Sequence, residues 1–209
     1  DIHDIHNIST NCTRTEFVGT AVLDTIGLVI SGVDDSLLKK MNVGTQYHCL
    51  GLFSSRTGAA GQITAIDDAV KATNTEVLSI ELPRDTKGWG GHGNYIVLGG
   101  NDVSDVRHAI SLALELTNKY AGEVYISESG HLEFAFSASA GPAIHKAFGT
   151  PLGEAFGFMA GSPAAIGLVM ADNAMKSAAV SITQYMTPNI GTSHSNEVII
   201  AISGDASAV

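Results

Sequence analysis

The chain has 209 residues, enough for one large domain or two of roughly 100 residues each. It is 44% hydrophobic but only 6% aromatic and contains 23 glycines, a composition typical of a compact α/β protein built from small side chains. Its formal charge of −10, with only 11 lysines and arginines, argues against a nucleic acid or an acidic membrane surface as partner. The most apolar stretch, 155–171, is shorter than the roughly 20 residues of a membrane span.

Cysteine and histidine spacing predicts no metal site and no cofactor. Cys12 and Cys49 lack a CxxC spacing, which argues against a zinc or redox site and favours a reducing cytosol. The eight histidines show no ligand spacing beyond His3 and His6, which fall in a polar, aperiodic arm over residues 1–14 that we expect to be flexible.

The hydrophobic pattern of the first half predicts alternating strands and helices. Two strands are expected within 17–33, and further strands at 48–53, 76–82 and 95–98. Helices are expected at 34–41, 59–73 and 103–120, with Asp102 as the N-cap of the last.

The second half repeats this pattern. Residues 66–71 align with 171–176 at an offset of 105, and 94–106 align with 197–209 at an offset of 103. Further elements are expected at 132–137, 141–148, 155–159, 164–178, 181–186 and 198–202. The domain boundary is expected within 122–129, giving domains at 15–125 and 126–209. The second copy stops where its last helix should begin, so we expect the native sequence to continue.

These repeated segments carry a family resemblance. The runs DDAVKATNTEVLSIELP and IVLGGNDVSDVRHAI resemble the shell domain of bacterial microcompartments, and DNAMKSAAVSITQYMTP resembles it more weakly, with Ala179 where the motif has Asn. Because a strand and a helix precede each copy, the chain is similar to the circularly permuted, tandem-domain subclass. TEFVGTAVLDTIGLVISGVD, SIELPRDTKGWGGHG and GTSHSNE are similar to the B-type shell proteins of propanediol- and ethanol-utilisation compartments.

The resemblance implies a structural protein and not an enzyme. It implies two tandem α/β domains of ferredoxin-like βαβ layers, and a homotrimer that imitates a hexagonal tile. The tile would pack laterally against other shell proteins in a compartment shell within the cytoplasm. Small polar metabolites such as alcohols, diols and aldehydes would pass through its pores.

Two polar loops are the candidate pore lining, and Trp89 is a candidate plug of the axial pore. Their residues are Lys87, Gly88, Trp89, Gly90, Gly91 and His92 in the first copy, and Thr192, Ser193, His194 and Ser195 in the second. The first loop matches G-x-G-x-x-G, but a strand follows it where a dinucleotide site needs a helix.

The resemblance assigns the tile edge to lysines at one motif position and a neighbouring asparagine. These are Lys71, Asn74 and Lys176. The carboxylates Asp67, Asp68 and Asp172 are expected on solvent-facing helix surfaces, the first and last in i,i+4 pairs with the two lysines.

Two functions from other classes remain open at this point. A duplicated α/β enzyme with the GWGGHG loop as a lid would require His92 and His194 to face one closed pocket beside a carboxylate. A small-molecule sensor would require one deep pocket per chain.

Overall fold

A computed structural model describes residues 14–84, 92–121, 124–189 and 195–209. The first half contains the strands β1 (Thr15–Ala21), β2 (Thr25–Ser31), β3 (Cys49–Ser55), β4 (Glu76–Glu81) and β5 (Asn94–Gly100). Its helices are α1 (Asp35–Met41), α2 (Ala60–Lys71) and α3 (Val103–Tyr120). The strands form one antiparallel sheet in the order β1-β2-β3-β5-β4.

The second half repeats this sheet. Its strands are β6 (Val124–Ser127), β7 (Gly130–Ser137), β8 (Ala155–Ser162), β9 (Val180–Met186) and β10 (Val198–Gly204), in the order β6-β7-β8-β10-β9. Its helices are α4 (Pro142–Phe148) and α5 (Ala164–Ser177). Strand pairing is again antiparallel. The predicted α/β architecture is therefore confirmed, with two sheets of the same strand order.

The strand β6 was not predicted. It lies in the segment expected to hold the domain boundary, and three of its four side chains are exposed. Val124, Tyr125 and Ile126 have high β propensity, but the segment lacks the alternation of apolar and polar residues that marks a half-buried strand. Backbone pairing with β7 makes it a strand.

Two Asp-x-Ser segments at equivalent positions of the two halves form the same hydrogen bond. The Asp102 carboxylate accepts a hydrogen bond from the Ser104 backbone N–H at 2.8 Å, which confirms the predicted N-cap of α3. Asp205 accepts from Ser207 at 2.9 Å in the second half. The repeat of 94–106 by 197–209 thus extends to hydrogen bonds.

The two halves share a core. The helix α3 lies across β1, β2 and β3, and α2 packs against α3 on one side and against α4 and β7 of the second half on the other. Side chains of both halves, including Ile63, Ile144 and Phe156, belong to one buried cluster. No helix among the residues placed by the structure is long and apolar enough to cross a membrane.

Candidate functional site

The boundary between the two halves is lined by buried charged groups. The first is Glu133 on β7, which is 2% exposed. Its Oε1 accepts hydrogen bonds from the backbone N–H groups of Ala59 and Ala60, at 3.1 and 2.9 Å. A carboxylate of the second half therefore satisfies the unpaired donors at the start of α2 in the first half.

A carboxylate of the first half makes the reciprocal contact. The Asp67 side chain accepts from the backbone N–H groups of Gly141, Ala143 and Ile144 at 2.8, 2.8 and 3.1 Å, so it caps α4. Its Oδ2 also lies 2.8 Å from Lys71 Nζ. The expectation that Asp67 faces solvent is wrong, because the second half covers it completely.

A third carboxylate lies between two imidazoles. Glu197, just before β10, has no exposed surface. Its Oε1 lies 2.5 Å from His92 Nδ1, and its Oε2 lies 3.1 Å from His131 Nε2. Because His92 comes from the first half and the other two from the second, this His-Glu-His cluster joins the halves.

The charges in this cluster stabilise one another. Burial acts to lower the pKa of His92, but the charge and hydrogen bond of Glu197 and the charge of Glu133 outweigh it and raise the pKa above 6.5. Burial likewise acts to raise the pKa of Glu197, but His92 and the hydrogen bonds from both imidazoles lower it to about 2. An ion pair between Glu197 and His92 is therefore favoured in the folded chain.

This geometry does not resemble a catalytic site. His92 is 2% exposed, its Nδ1 is bound to Glu197, and its Nε2 has no hydrogen-bond partner among the described residues, so none of their hydroxyls or thiols is positioned for activation by it. A search of the described part of the chain finds no group of three or more side chains able to hold a metal ion. The buried imidazole beside a carboxylate meets one half of the enzyme criterion. The other half, His194, lies outside the described residues.

The sensor alternative predicts one deep pocket. Instead, the described residues line several clefts of similar volume, including about 460 Å³ beside His131 and Ile166, about 620 Å³ beside Phe136, and about 530 Å³ beside Leu152. None of them stands apart as a ligand pocket.

Most of the predicted pore-loop residues lie outside the described residues. These are Lys87, Gly88, Trp89, Gly90 and Gly91 in the first loop, and Thr192, Ser193 and His194 in the second. The last residue predicted in each loop is placed, and both are buried: His92 in the His-Glu-His cluster, and Ser195 with no exposed surface.

The predicted edge residues lie near the ends of the two long Ala-rich helices. Lys71 Nζ is shared between Asp67 and the Ser139 carbonyl oxygen, 2.7 Å away, and about a third of the side chain is exposed. Asn74 is exposed just after α2. Lys176 is 72% exposed and pairs with Asp172 at 2.6 Å. A lateral contact is open to each of them, but a single chain does not test it.

Sequence reasoning missed Glu133, His131 and Glu197. One signal was available for Glu197: the offset of 103 places it on Asn94, so an ionisable residue replaces a neutral one at the start of an apolar segment. Nothing local marks the two residues of β7.

Comparison with known proteins gives consistent matches. A family model described as the BMC domain matches residues 49–129 and 155–209. The bacterial microcompartment shell protein PduB of Citrobacter freundii is 54% identical over 199 residues, which is 95% of this chain and 74% of that protein. The crystal structure of EtuB from Clostridium kluyveri has a TM-score of 0.89 at 50% identity and covers 95% of this chain and 86% of that one. That of a trimeric bacterial microcompartment shell protein PduB also has a TM-score of 0.89, at 49% identity, with 93% and 86% covered.

Proposed function

Because the chain belongs to the BMC domain family and is a structural shell protein of a bacterial microcompartment, we propose that three copies assemble into a tile of pseudo-sixfold outline. The resemblance seen in the sequence is confirmed by these matches. The trimer is the finer step, and one similar structure is itself described as trimeric.

A difference in burial between two equivalent helices carries this proposal. Most of α2 is buried, because it packs against α3 and also against α4 and β7 of the second half. Asp67 lies on the side of α2 that faces α4, and Ile63 precedes it by one turn on that side. Their counterparts on α5 at the offset of 105 are Asp172 and Leu168, which are 55% and 54% exposed.

Cyclic assembly covers this surface. If the first half of another copy packs on α5 as the second half packs on α2, each copy completes the boundary that its neighbour leaves open. Six similar domains then close a ring of three chains. Each interface between chains is heterologous, because it joins two different surfaces, and closure of the ring leaves none of these surfaces uncovered. Burying Leu168 contributes roughly 1.5–3 kcal/mol when burial is complete.

Lateral packing and passage are further parts of the proposal. Lys71, Asn74 and Lys176 would contact neighbouring shell proteins at the tile edge. Small polar metabolites would pass at the loops, where Lys87 to Gly91 and Thr192 to His194 would supply hydrogen-bonding groups. His92 and Ser195 are left out of this lining because they are buried in the chain.

The absence of catalysis and the domain division are proposals as well. The relatives of the chain are shell proteins. In the buried His-Glu-His cluster, no described residue offers an accessible nucleophile beside His92. Two shell domains at 15–125 and 126–209 fit the two sheets. Starting the second at Val124 instead keeps β6 whole.

The substitution Leu168→Asp tests the trimer. A carboxylate on the exposed side of α5 leaves the folded chain intact but becomes desolvated when another copy covers it. We expect the wild type to sediment as a trimer at micromolar concentration, and Leu168→Asp to sediment as a monomer with an unchanged circular dichroism spectrum.

The matched control is Leu152→Asp. Leu152 is 62% exposed in the cleft between the two halves of one chain, away from α5. This variant should remain trimeric. A wild type that sediments only as a monomer, or a trimer that tolerates Leu168→Asp, contradicts the proposal.

A further inference from the structure

The two domains of the chain differ in charge where β5 and β10 begin. Asn94 opens β5 opposite Ser55, and Glu197 precedes Val198, which lies opposite Gly161. Glu197 therefore takes the place of Asn94 in the repeat. The first half has an uncharged carboxamide there, bound to Ser55 and to the Gly58 carbonyl oxygen at 2.7 and 3.0 Å.

We propose that His92, Glu197 and His131 form a pH-responsive clasp that holds the two domains of one chain together and is strongest in weakly acidic solution. All three side chains are at least nine-tenths buried, and both hydrogen bonds of the clasp end on one carboxylate. This proposal concerns the single chain, so it does not depend on the trimer.

The structure describes three charged residues near the clasp. From β7, Glu133 adds a second negative charge that acts on His92, although its Oε1 is occupied by the start of α2. Arg84 pairs with His92 through the backbone, and the backbone of Arg56 lies close to Gly93. Both arginine residues are exposed to solvent, which screens their charges.

The pH window follows from the two directions of shift. A histidine with a raised pKa stabilises the folded chain fully below 6.5, and this contribution is lost as the pH rises through the raised value. A carboxylate with a pKa lowered to about 2 stabilises it above 4.5, and this contribution is lost on acidification. The clasp is therefore strongest between 4.5 and 6.5 and weakens in alkaline solution.

The buried Nε2 atom of His92 makes the protonated ring depend on the neighbouring carboxylates. No described group accepts a hydrogen bond from it, so protonation of the ring leaves a buried donor unpaired, and the negative charge of Glu197 and Glu133 offsets this cost. Removal of the Glu197 charge should therefore leave the His92 ring uncharged throughout the neutral pH range.

Histidine titration by nuclear magnetic resonance tests the clasp in the full chain. His92→Gln identifies the His92 signal. We expect that signal to titrate above 6.5 in the wild type, and to move down by about one unit or more in Glu197→Gln. His108→Gln on the exposed side of α3 is the control, and it should leave the His92 signal in place.

Urea unfolding as a function of pH gives a second measurement. The urea concentration at the unfolding midpoint of the wild type should decrease as the pH is raised from 6 to 9. This decrease should be smaller in Glu197→Gln and in His92→Gln. If Glu197→Gln does not fold, the pH profiles of the wild type and His92→Gln are compared instead. A His92 signal that titrates below 6.5, or equal pH profiles for the wild type and either variant, overturns the proposal.

Discussion

Replacing Asp67 by alanine should destabilise the chain far more than the same change at Asp172. The two residues align at an offset of 105, and each is followed four residues later by a lysine. Asp67 is completely buried between the halves, whereas the Asp172 side chain is 55% exposed. The pair therefore compares one sequence motif in two environments.

The structure sets the expected size of the effect. Asp67→Ala removes the acceptor of three backbone N–H groups at the start of α4 and leaves Lys71 without its 2.8 Å partner. Loss of an N-cap costs about 0.5–2 kcal/mol, and each buried donor left unpaired costs about 1–3 kcal/mol. Lys71 keeps the Ser139 carbonyl oxygen and about a third of its side chain is exposed, so loss of the ion pair adds at most about 1 kcal/mol. Because the N-cap figure already includes part of the donor cost, we expect a total near 2–4 kcal/mol, a roughly 30- to 1000-fold change in the unfolding equilibrium.

Urea unfolding at neutral pH and one protein concentration measures this loss. Asp172→Ala removes an exposed i,i+4 pair and should cost at most about 0.5 kcal/mol. Asp67→Asn keeps one acceptor oxygen and should fall between the two. Equal losses for Asp67→Ala and Asp172→Ala would refute the argument that capping across the boundary stabilises the fold.

Two further predictions concern the first half. The hydroxyl of Tyr120 donates a 2.6 Å hydrogen bond to Asp68, and this bond, followed by burial and the charge of Asp68, raises the pKa of Tyr120 to about 12. Ultraviolet titration should therefore show one tyrosine that ionises near pH 12, and Asp68→Asn should bring it back towards 10. Gly27→Val places a Cβ 2.5 Å from Ile110 Cγ2, so overpacking should cost about 1–3 kcal/mol in urea unfolding. An unchanged midpoint would show that α3 can move away from the sheet.

The sequence predicts the elements whose pattern is complete within their own residues. The helix α3 was predicted with the bounds that the structure gives, because Asp102 supplies a cap and one face of the following 18 residues is apolar. The helix α1 begins one residue later than predicted, because Asp34 is its N-cap. By contrast, the apolar residues of β6 favour a strand but do not alternate with polar ones, and its pairing with β7 is not visible in the sequence.

The boundary could not be predicted from local sequence. Asp67 and Asp172 have the same surroundings along the chain, and only the packing of α4 against α2 decides which one is buried. The His-Glu-His cluster joins residues 66 and 105 positions apart. Its members become informative only after the fold places them together.

Duplication within one chain explains how a buried charged cluster can exist at only some of the boundaries. A buried carboxylate is costly without partners, so Glu197 requires both imidazoles to be present at the same boundary. In a ring of identical one-domain subunits, every boundary would carry the same residues. In the proposed trimer, the boundary within each chain carries Glu197, and the boundary between chains carries Asn94 in its place. A change of pH would then act on the contact inside each copy and leave the contact between copies without this dependence.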